Sequence, residues 1–373
     1  MKIGMLTSAT ERCGISDYSA GLASGLRKIV DLTVVPVWDC AEPWDQYLLR
    51  SSSALNDSDV VHIQHEYSFW GSVLPGRNKF FEQASSIKRP IVLTAHTLSP
   101  AAQVLGLDLP GSLLRKSAKR ALSMLPGYRK VIERDTFQVA DRIIIHDPDA
   151  ASELKSRGIP EERIRIIAMG VPAADPAPGA ADAFRSRFGL QGRRLIVVFG
   201  FVRPGRGYEA AMKILPALDS DVTLVIAGGA QTEAQQVYMD SLQAQVEAAG
   251  LSGRVVITGF LPNDMVSGAM QAADVALCSQ EAGTGSYSVQ VALAYGRPIV
   301  ASDLPCFTYP EQTHGCLITF KCTDLRYMAA KLKAVLTDPG LSTGLSARAS
   351  QYAAEHTWDK IADNTVAVYR ELA

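Results

Sequence analysis

The chain has 373 residues, a length that favours two domains over one. With 47% apolar residues, 20% charged residues and a formal net charge of −1, it has the composition of an ordinary globular protein and not that of a general nucleic-acid binder. The six cysteines (Cys13, Cys40, Cys278, Cys306, Cys316 and Cys322) form no CxxC pair and no zinc-ligand spacing, which predicts reduced thiols in a cytoplasmic protein. The apolar start, Met1–Thr7, is too short for a signal peptide and reads as a first strand. No run approaches the roughly 20 apolar residues of a membrane helix.

Continuous apolar runs predict strands at Lys2–Leu6, Leu32–Val37, Val60–Gln64, Ile91–Ala95, Arg142–His146 and Arg165–Ala168. A second series follows at Leu195–Phe199, Thr223–Ala227, Val255–Thr258, Val275–Cys278, Pro298–Ala301 and Cys316–Thr319. Runs without polar alternation suit parallel strands covered on both faces. Helical spacing lies between them at Ser16–Val30, Ala150–Arg157, Tyr208–Leu218, Tyr238–Ala249, Asp264–Ala272 and Val289–Tyr295. The order predicts doubly wound α/β sheets. Pro172–Asp182, rich in Pro, Ala and Gly, breaks the series and reads as a linker. The tail from about Ser346 is helical, with Trp358, Ile361, Ala362, Val366 and Tyr369 as its apolar stripe. The expected division is residues 1–171, 172–350 and a terminal helix over 351–373 that packs back on the first domain. Two Rossmann-like domains facing across a cleft would bind ligands at their C-terminal strand ends.

Five segments offer chemistry at such strand ends. In Glu281-Ala-Gly-Thr-Gly-Ser286, glycines precede a helix whose free N–H groups suit a diphosphate, and Glu281 can accept sugar hydroxyls; a plain strand–turn–helix crossover is the alternative. In Val198–Tyr208, Arg203 and Arg206 lie on a Gly/Pro loop where two guanidinium groups can neutralise a leaving diphosphate, or stand solvated. Cys13–Tyr18 opens a helix after the first strand; Gly14 permits close approach of a ligand, and Ser16 or Asp17 can cap the helix. His62–Gly71 (HIQHEYSFWG) runs from a strand into a polar, aromatic loop. There His62 reads as structural, whereas His65, Glu66, Tyr67 and Trp70 can stack on and bond a sugar acceptor. No third ligand nearby supports a metal there. His96, in Leu93-Thr-Ala-His-Thr97, stands at a strand end. A basic amphipathic stretch with Arg115, Lys116, Lys119 and Arg120 reads as a solvated helix face or as contact with anionic lipid.

Together these segments, with Ala140–His146, Ile167–Pro172, Thr258–Pro262 and His356–Ala362, resemble the family-4 glycosyltransferases of GT-B fold over nearly the whole length. The resemblance implies a retaining, metal-independent transfer that needs no cofactor beyond a nucleotide sugar, UDP- or GDP-linked, as co-substrate. It implies a glycan, lipid-linked or small-molecule acceptor; the cysteines and the basic stretch together leave two expectations, an enzyme free in the cytoplasm or one peripheral to the inner face of the membrane. Carried over by position, Gly14 approaches the donor phosphates and His96 contacts the transferred sugar. Arg203 and Arg206 stabilise the departing diphosphate and Glu281 holds the sugar. Gly283, Thr284, Gly285 and Ser286, with Phe260 and Leu261, complete the donor site. Two departures are visible. Arg206 stands where the family usually has Lys, and no acidic residue stands at the family's second Glu, whose place falls on Val289 or Val291 with Gln290 beside it. A GT-B epimerase or a non-catalytic GT-B binding module are the alternatives.

Overall fold

The computed structural model describes residues 1–9, 13–70, 79–98, 135–283, 285–322 and 324–373. Among the described residues, twelve strands form two six-stranded, all-parallel sheets. The first unit comprises Met1–Gly170 and Trp358–Ala373, and the second Val171–Thr357.

In the first unit the strands are β1 (Lys2–Thr7), β2 (Asp31–Pro36), β3 (Val60–His65), β4 (Ile91–Ala95), β5 (Arg142–Ile145) and β6 (Ile164–Ile166). Their order is β2-β1-β3-β4-β5-β6. The helices α1 (Gly14–Leu26), α2 (Trp44–Asn56), α3 (Lys79–Ser86) and α4 (Pro148–Ser156) connect them. β3 and β4 are buried at every position, which is why their sequences are apolar without alternation.

In the second unit come α5 (Ala180–Phe188), β7 (Arg194–Phe199), α6 (Tyr208–Ile214), β8 (Val222–Ala227), α7 (Glu233–Ala248), β9 (Val255–Ile257) and α8 (Asn263–Ala272). They are followed by β10 (Val275–Cys278), α9 (Tyr287–Ala294), β11 (Ile299–Ser302), α10 (Pro305–His314), β12 (Ile318–Phe320), α11 (Leu325–Thr337) and α12 (Pro339–Glu355). The order β12-β11-β10-β7-β8-β9 is the doubly wound arrangement, and its direction reverses between β7 and β10. The loops after β7 and β10 therefore leave the sheet side by side.

The last helix, α13 (Trp358–Arg370), belongs to the first unit and packs on α1. Glycines on α1 and before the crossover make room for its indole. A Cβ at Gly21 would stand 2.2 Å from Trp358 Cε2, and one at Gly170 2.3 Å from Cε3. The tail is thus two helices and not one. Residues 351–355 finish α12 in the second unit, and the chain turns at His356–Thr357, where Val171 and Thr357 form a parallel bridge. The expected linker is also shorter than its composition suggests. Ala180 already opens α5 after Gly179 takes a left-handed φ of 76°, because Ala-Ala-Asp is a good helix start.

Candidate functional site

In the first unit the site residues gather where β1, β3, β4 and β5 end. Gly14 is the first residue of α1, with open space at its Cβ position. The expected caps are not formed: Cys13 holds the N-cap position without a side-chain bond, and the Ser16 hydroxyl donates to Ser8 O at 2.9 Å. His96 follows β4 directly. Its Nε2 lies 2.8 Å from Gln64 Oε1, so Nε2 carries the proton, and its ring meets Tyr18 edge-on at 4.8 Å. Burial, then the neighbouring His146, His62 and His65, hold its pKa well below the usual imidazole range. His96 is therefore neutral at neutral pH, with its Nε2–H directed at Gln64.

Gln64 is itself fixed. Its amide nitrogen faces His62 Nε2 at 3.2 Å, Thr94 Oγ1 lies 2.7 Å from that same nitrogen, and His62 Nδ1 lies 2.6 Å from the Tyr369 hydroxyl of α13. His62 is structural, as its strand position suggests; burial lowers its pKa to about 3. His146, at the end of β5, lies 5.9 Å from His96 and 5.5 Å from Tyr18. Its Nδ1 donates to Ile167 O at 2.9 Å, and its buried Nε2 has no partner among the described residues. Sequence reasoning missed Gln64 and His146 as site residues, although His146 stands at a strand end just as His96 does.

The acceptor loop is where the structure departs most from expectation. His65, Tyr67 and Trp70 are buried and are not a sugar-stacking surface. His65 packs edge-on against Tyr67 and Phe80, each at 4.7 Å, and Trp70 meets Phe80 at 5.3 Å. With Phe80 and Phe137 already lining the core, burying these rings removes far more apolar area from water than loop exposure would. Burial pushes the pKa of His65 down to about 3. Glu66 alone of the four remains partly exposed. Its Oε1 accepts from Tyr67 N at 2.9 Å and its Oε2 from the Thr97 hydroxyl at 2.5 Å, while burial raises its pKa.

In the second unit the loops after β7 and β10 are stitched together. Glu281 N donates to Gly205 O at 2.9 Å, and the Ser279 hydroxyl donates to Arg206 O at 2.9 Å. Gly207, at φ 76°, admits this contact, since a Cβ there would lie 2.3 Å from Ser279 O. Arg206 is thereby held over the start of α9. Its guanidinium reaches Gln280 Oε1 at 3.4 Å and Ser288 Oγ at 3.5 Å, both neutral, and its Nε has no partner among the described residues. Two other buried polar atoms are left over on α9 and its cap: Ser286 Oγ, which makes no capping bond, and Gln290 Oε1. Buried polar atoms are nearly always paired, so three orphans on one loop-and-helix junction mark a place for a polar ligand.

Arg203 is partly exposed on the same loop. Glu281 and Gly283 are exposed, Gly285 is partly so, and Thr284 lies outside the described residues. Phe260 is exposed beyond β9, whereas the Leu261 side chain belongs to the core and cannot line a donor site. The apolar packing of α8 and α9 against the sheet claims it. Gln280 was not foreseen; it is buried, and its amide and Ser288 supply the partners of Arg206. Arg115, Lys116, Lys119 and Arg120 lie outside the described residues. Among the described residues, the His, Cys, Asp and Glu side chains close enough to hold a metal ion include none of these site residues. No helix among them is long and apolar enough to cross a membrane.

Comparison with known proteins agrees with this architecture. Residues 23–175 match the family described as Glycosyltransferase Family 4, and residues 193–338 the family described as Glycosyl transferases group 1. The D-inositol 3-phosphate glycosyltransferase of Acidothermus cellulolyticus is 26% identical over 294 residues, which are 76% of this chain and 62% of that protein. The chain thus spans about six-tenths of that relative's length. The phosphatidyl-myo-inositol mannosyltransferase of Mycolicibacterium smegmatis is 26% identical over 328 residues, 86% of this chain and 73% of that protein. Anabaena Alr3699/HepE, crystallised with UDP-glucose, superposes with a TM-score of 0.74 over the whole of both chains at 15% identity, a likeness of fold. With both halves matched in sequence and the doubly wound sheets in place, the chain belongs to the family-4 glycosyltransferases of GT-B fold.

Proposed function

We propose that the chain transfers a sugar from a nucleotide sugar, UDP- or GDP-linked, to a hydroxyl of a glycan, lipid-linked or small-molecule acceptor, with retention of configuration and without a metal ion. The observation that carries the reading is Arg206. It is a half-buried guanidinium whose hydrogen bonds among the described residues go only to neutral groups, beside the orphaned Ser286 Oγ and Gln290 Oε1. A half-buried charge without a counter-charge is costly, and an anionic ligand relieves that cost. A departing diphosphate develops charge at the moment of transfer, so fixed donors aimed at it lower the barrier more than they lower the ground state.

In this reading Arg203, Arg206 and the backbone N–H groups of Gly283–Ser286 receive the diphosphate at the start of α9. Glu281 accepts sugar hydroxyls, Phe260 stacks on the base and Gly14 lets the phosphates approach α1. Neutral His96, its Nε2–H held by Gln64, turns the Nδ1 acceptor toward a hydroxyl of the transferred sugar. The leaving phosphate takes the acceptor proton, so no dedicated base is required. Gln290 stands in for the family's second Glu, and its amide offers the ribose both a donor and an acceptor. The relatives named for inositol phosphates make cyclic polyols the first acceptors to test. A cytoplasmic location, with membrane contact through Arg115–Arg120, completes the proposal.

The test is a thermal-shift panel of UDP-, GDP-, ADP- and dTDP-sugars, followed by product analysis by NMR for the anomeric configuration, with and without EDTA. A nucleotide sugar that binds the folded state raises the melting temperature. If no nucleotide does so and no donor is consumed, the transferase reading fails. An inverted anomer or loss of turnover in EDTA would remove retention or metal independence.

A further inference from the structure

The turn between α12 and α13 holds a cluster that the transfer reaction does not use. His314 ends α10, Glu355 ends α12 and His356 follows it. One ligand atom from each lies within 4.8 Å of the others. The hydrogen bonds behind them decide which atoms face inward. The Thr313 hydroxyl donates its single proton to Tyr309 O at 2.8 Å, so at 2.7 Å it can only accept from His314 Nδ1. The neutral His314 ring therefore presents its lone pair at Nε2. His356 Nδ1 lies 2.9 Å from Tyr352 O, a carbonyl that can only accept, so this ring too is protonated at Nδ1 and basic at Nε2. Glu355 Oε1 accepts from Gln351 Nε2 at 2.9 Å, and Oε2 is the oxygen that lies 3.4 Å from His314 Nε2.

Two imidazoles and a carboxylate thus gather a ligand atom each, and each side chain is oriented by a hydrogen bond at another of its atoms. That is the arrangement of outer partners seen behind metal-bound histidines and carboxylates. The separation of His314 Nε2 and Glu355 Oε2 also fits. Two ligands about 2.0–2.1 Å from a tetrahedral zinc ion stand roughly 3.4 Å apart. The rings are further held by Tyr352, which stacks on His356 at 3.8 Å and meets His314 edge-on at 4.9 Å. We propose that His314 Nε2, Glu355 Oε2 and His356 Nε2 form a zinc-type divalent-cation site that ties the end of α10 to the end of α12, with solvent completing the coordination. The choice of ion follows from the donors, since two imidazoles and one carboxylate suit Zn2+ and not Mg2+ or Ca2+. The site is structural: it fixes the turn from which the chain leaves the second unit.

The experiment is a calorimetric titration of ZnCl2 into the untagged, metal-stripped full chain at pH 7.5, repeated on His314→Ala, His356→Ala and Glu355→Gln. Circular dichroism of each variant checks that it is folded. The expected result is one saturable Zn2+ per chain, weakened about tenfold or more in each variant, as loss of a ligand or its support requires. Co2+ should give a visible d–d spectrum without a thiolate charge-transfer band, which separates this site from the cysteines. The melting temperature of the wild type, and not of His314→Ala, should rise with Zn2+. Absence of saturable binding, or binding undiminished in folded His314→Ala and His356→Ala, overturns the proposal. These readouts do not depend on sugar transfer, so their failure is distinct from failure of the proposed function.

Discussion

Gly21→Ala sets two effects of opposite sign against each other. Gly21 lies inside α1, where alanine is favoured over glycine by about 1 kcal/mol. The new Cβ would however fall 2.2 Å from Trp358 Cε2 and 2.4 Å from Nε1. Ordinary carbon contacts are about 3.5–4.0 Å, so the indole would have to retreat by roughly 1 Å or more. It is hemmed in elsewhere: the Cβ position of Gly170 lies 2.3 Å from Cε3, and Tyr18 meets the ring edge-on at 5.2 Å. Overpacking of this kind costs about 1–3 kcal/mol, and with a ring that cannot turn away the upper part of that range applies. The clash therefore outweighs the helix gain, and Gly21→Ala should destabilise the first unit by about 1–2 kcal/mol. In a Trp358→Ala background the same substitution meets open space, and only the helix gain of about 1 kcal/mol remains. The sign should reverse, with a coupling of about 2–3 kcal/mol. Urea unfolding followed by far-UV circular dichroism measures all four proteins. Two units need not unfold together, so the transition shifted by Trp358→Ala is the one to compare. Stabilisation by Gly21→Ala in the wild-type background, or additivity of the two substitutions, would refute the packing argument.

Other outcomes follow from the two strand-end clusters. Arg206→Ala should lower kcat/KM by about 10²–10³, and Arg206→Lys should recover only part of it, because a point charge cannot reproduce the fork that reaches Gln280 and Ser288; steady-state kinetics with the donor found by thermal shift decides this. Gln64→Leu should lower kcat by about tenfold with little change in donor KM, since it frees His96 to rotate without removing a donor contact; equal loss in Gln64→Leu and Gln64→Glu would point to core damage instead. Burial holds the pKa values of His62 and His65 at about 3, below an unfolded value of about 6.5. Below pH 6.5 the unfolded chain takes up protons that the folded chain refuses. Stability should thus be complete above that pH and fall toward pH 3 by about 1.4 kcal/mol per unit for each such group. His65→Phe should remove one proton's share of that slope, measured from urea midpoints between pH 7 and 5; an unchanged slope would mean that His65 is not buried neutral.

The sheets were legible because parallel strands covered on both faces leave an unambiguous mark. All twelve strand positions were found within two residues, from Lys2–Thr7 to Ile318–Phe320. Helices were less so. Trp44–Asn56, with charges and serines between its buried Trp44, Tyr47 and Leu55, and Pro305–His314, with Pro310 inside it, have no clean apolar period and were not foreseen. The motifs mark Arg206 and His96 as candidates, and the structure sets each beside a strand end with an amide partner, Gln280 and Gln64. The site was not legible where packing decides. HEYSFW mixes polar and aromatic residues as a sugar-binding loop would. Only the three-dimensional neighbours Phe80 and Phe137 show that His65, Tyr67 and Trp70 turn inward, leaving Glu66 as the one candidate with exposure.

The company the arginines keep sets Arg206 apart from those paired with carboxylates inside the fold. Arg194 is held by Asp219 and Asp221, Arg142 and Arg165 share Glu371, and Arg185 approaches Asp274. Each has its counter-charge in the fold, and these pairs, largely open to solvent, contribute little individually. Arg254 and Arg297 bond only to backbone carbonyls; Arg206 differs from all of these in having a buried Nε without a partner among the described residues. The loops after β7 and β10 meet where the sheet order reverses, and their backbone contacts hold the guanidinium at a helix N-terminus with only amide and hydroxyl partners. A carboxylate at Gln280 or Ser288 would satisfy it internally and spend its field on the protein. Neutral partners orient the fork without cancelling it. Helix α9, with Val289, Gln290 and Val291 on its first turns, carries no acidic residue, so none of its own side chains opposes the positive end of its dipole or the Arg206 charge.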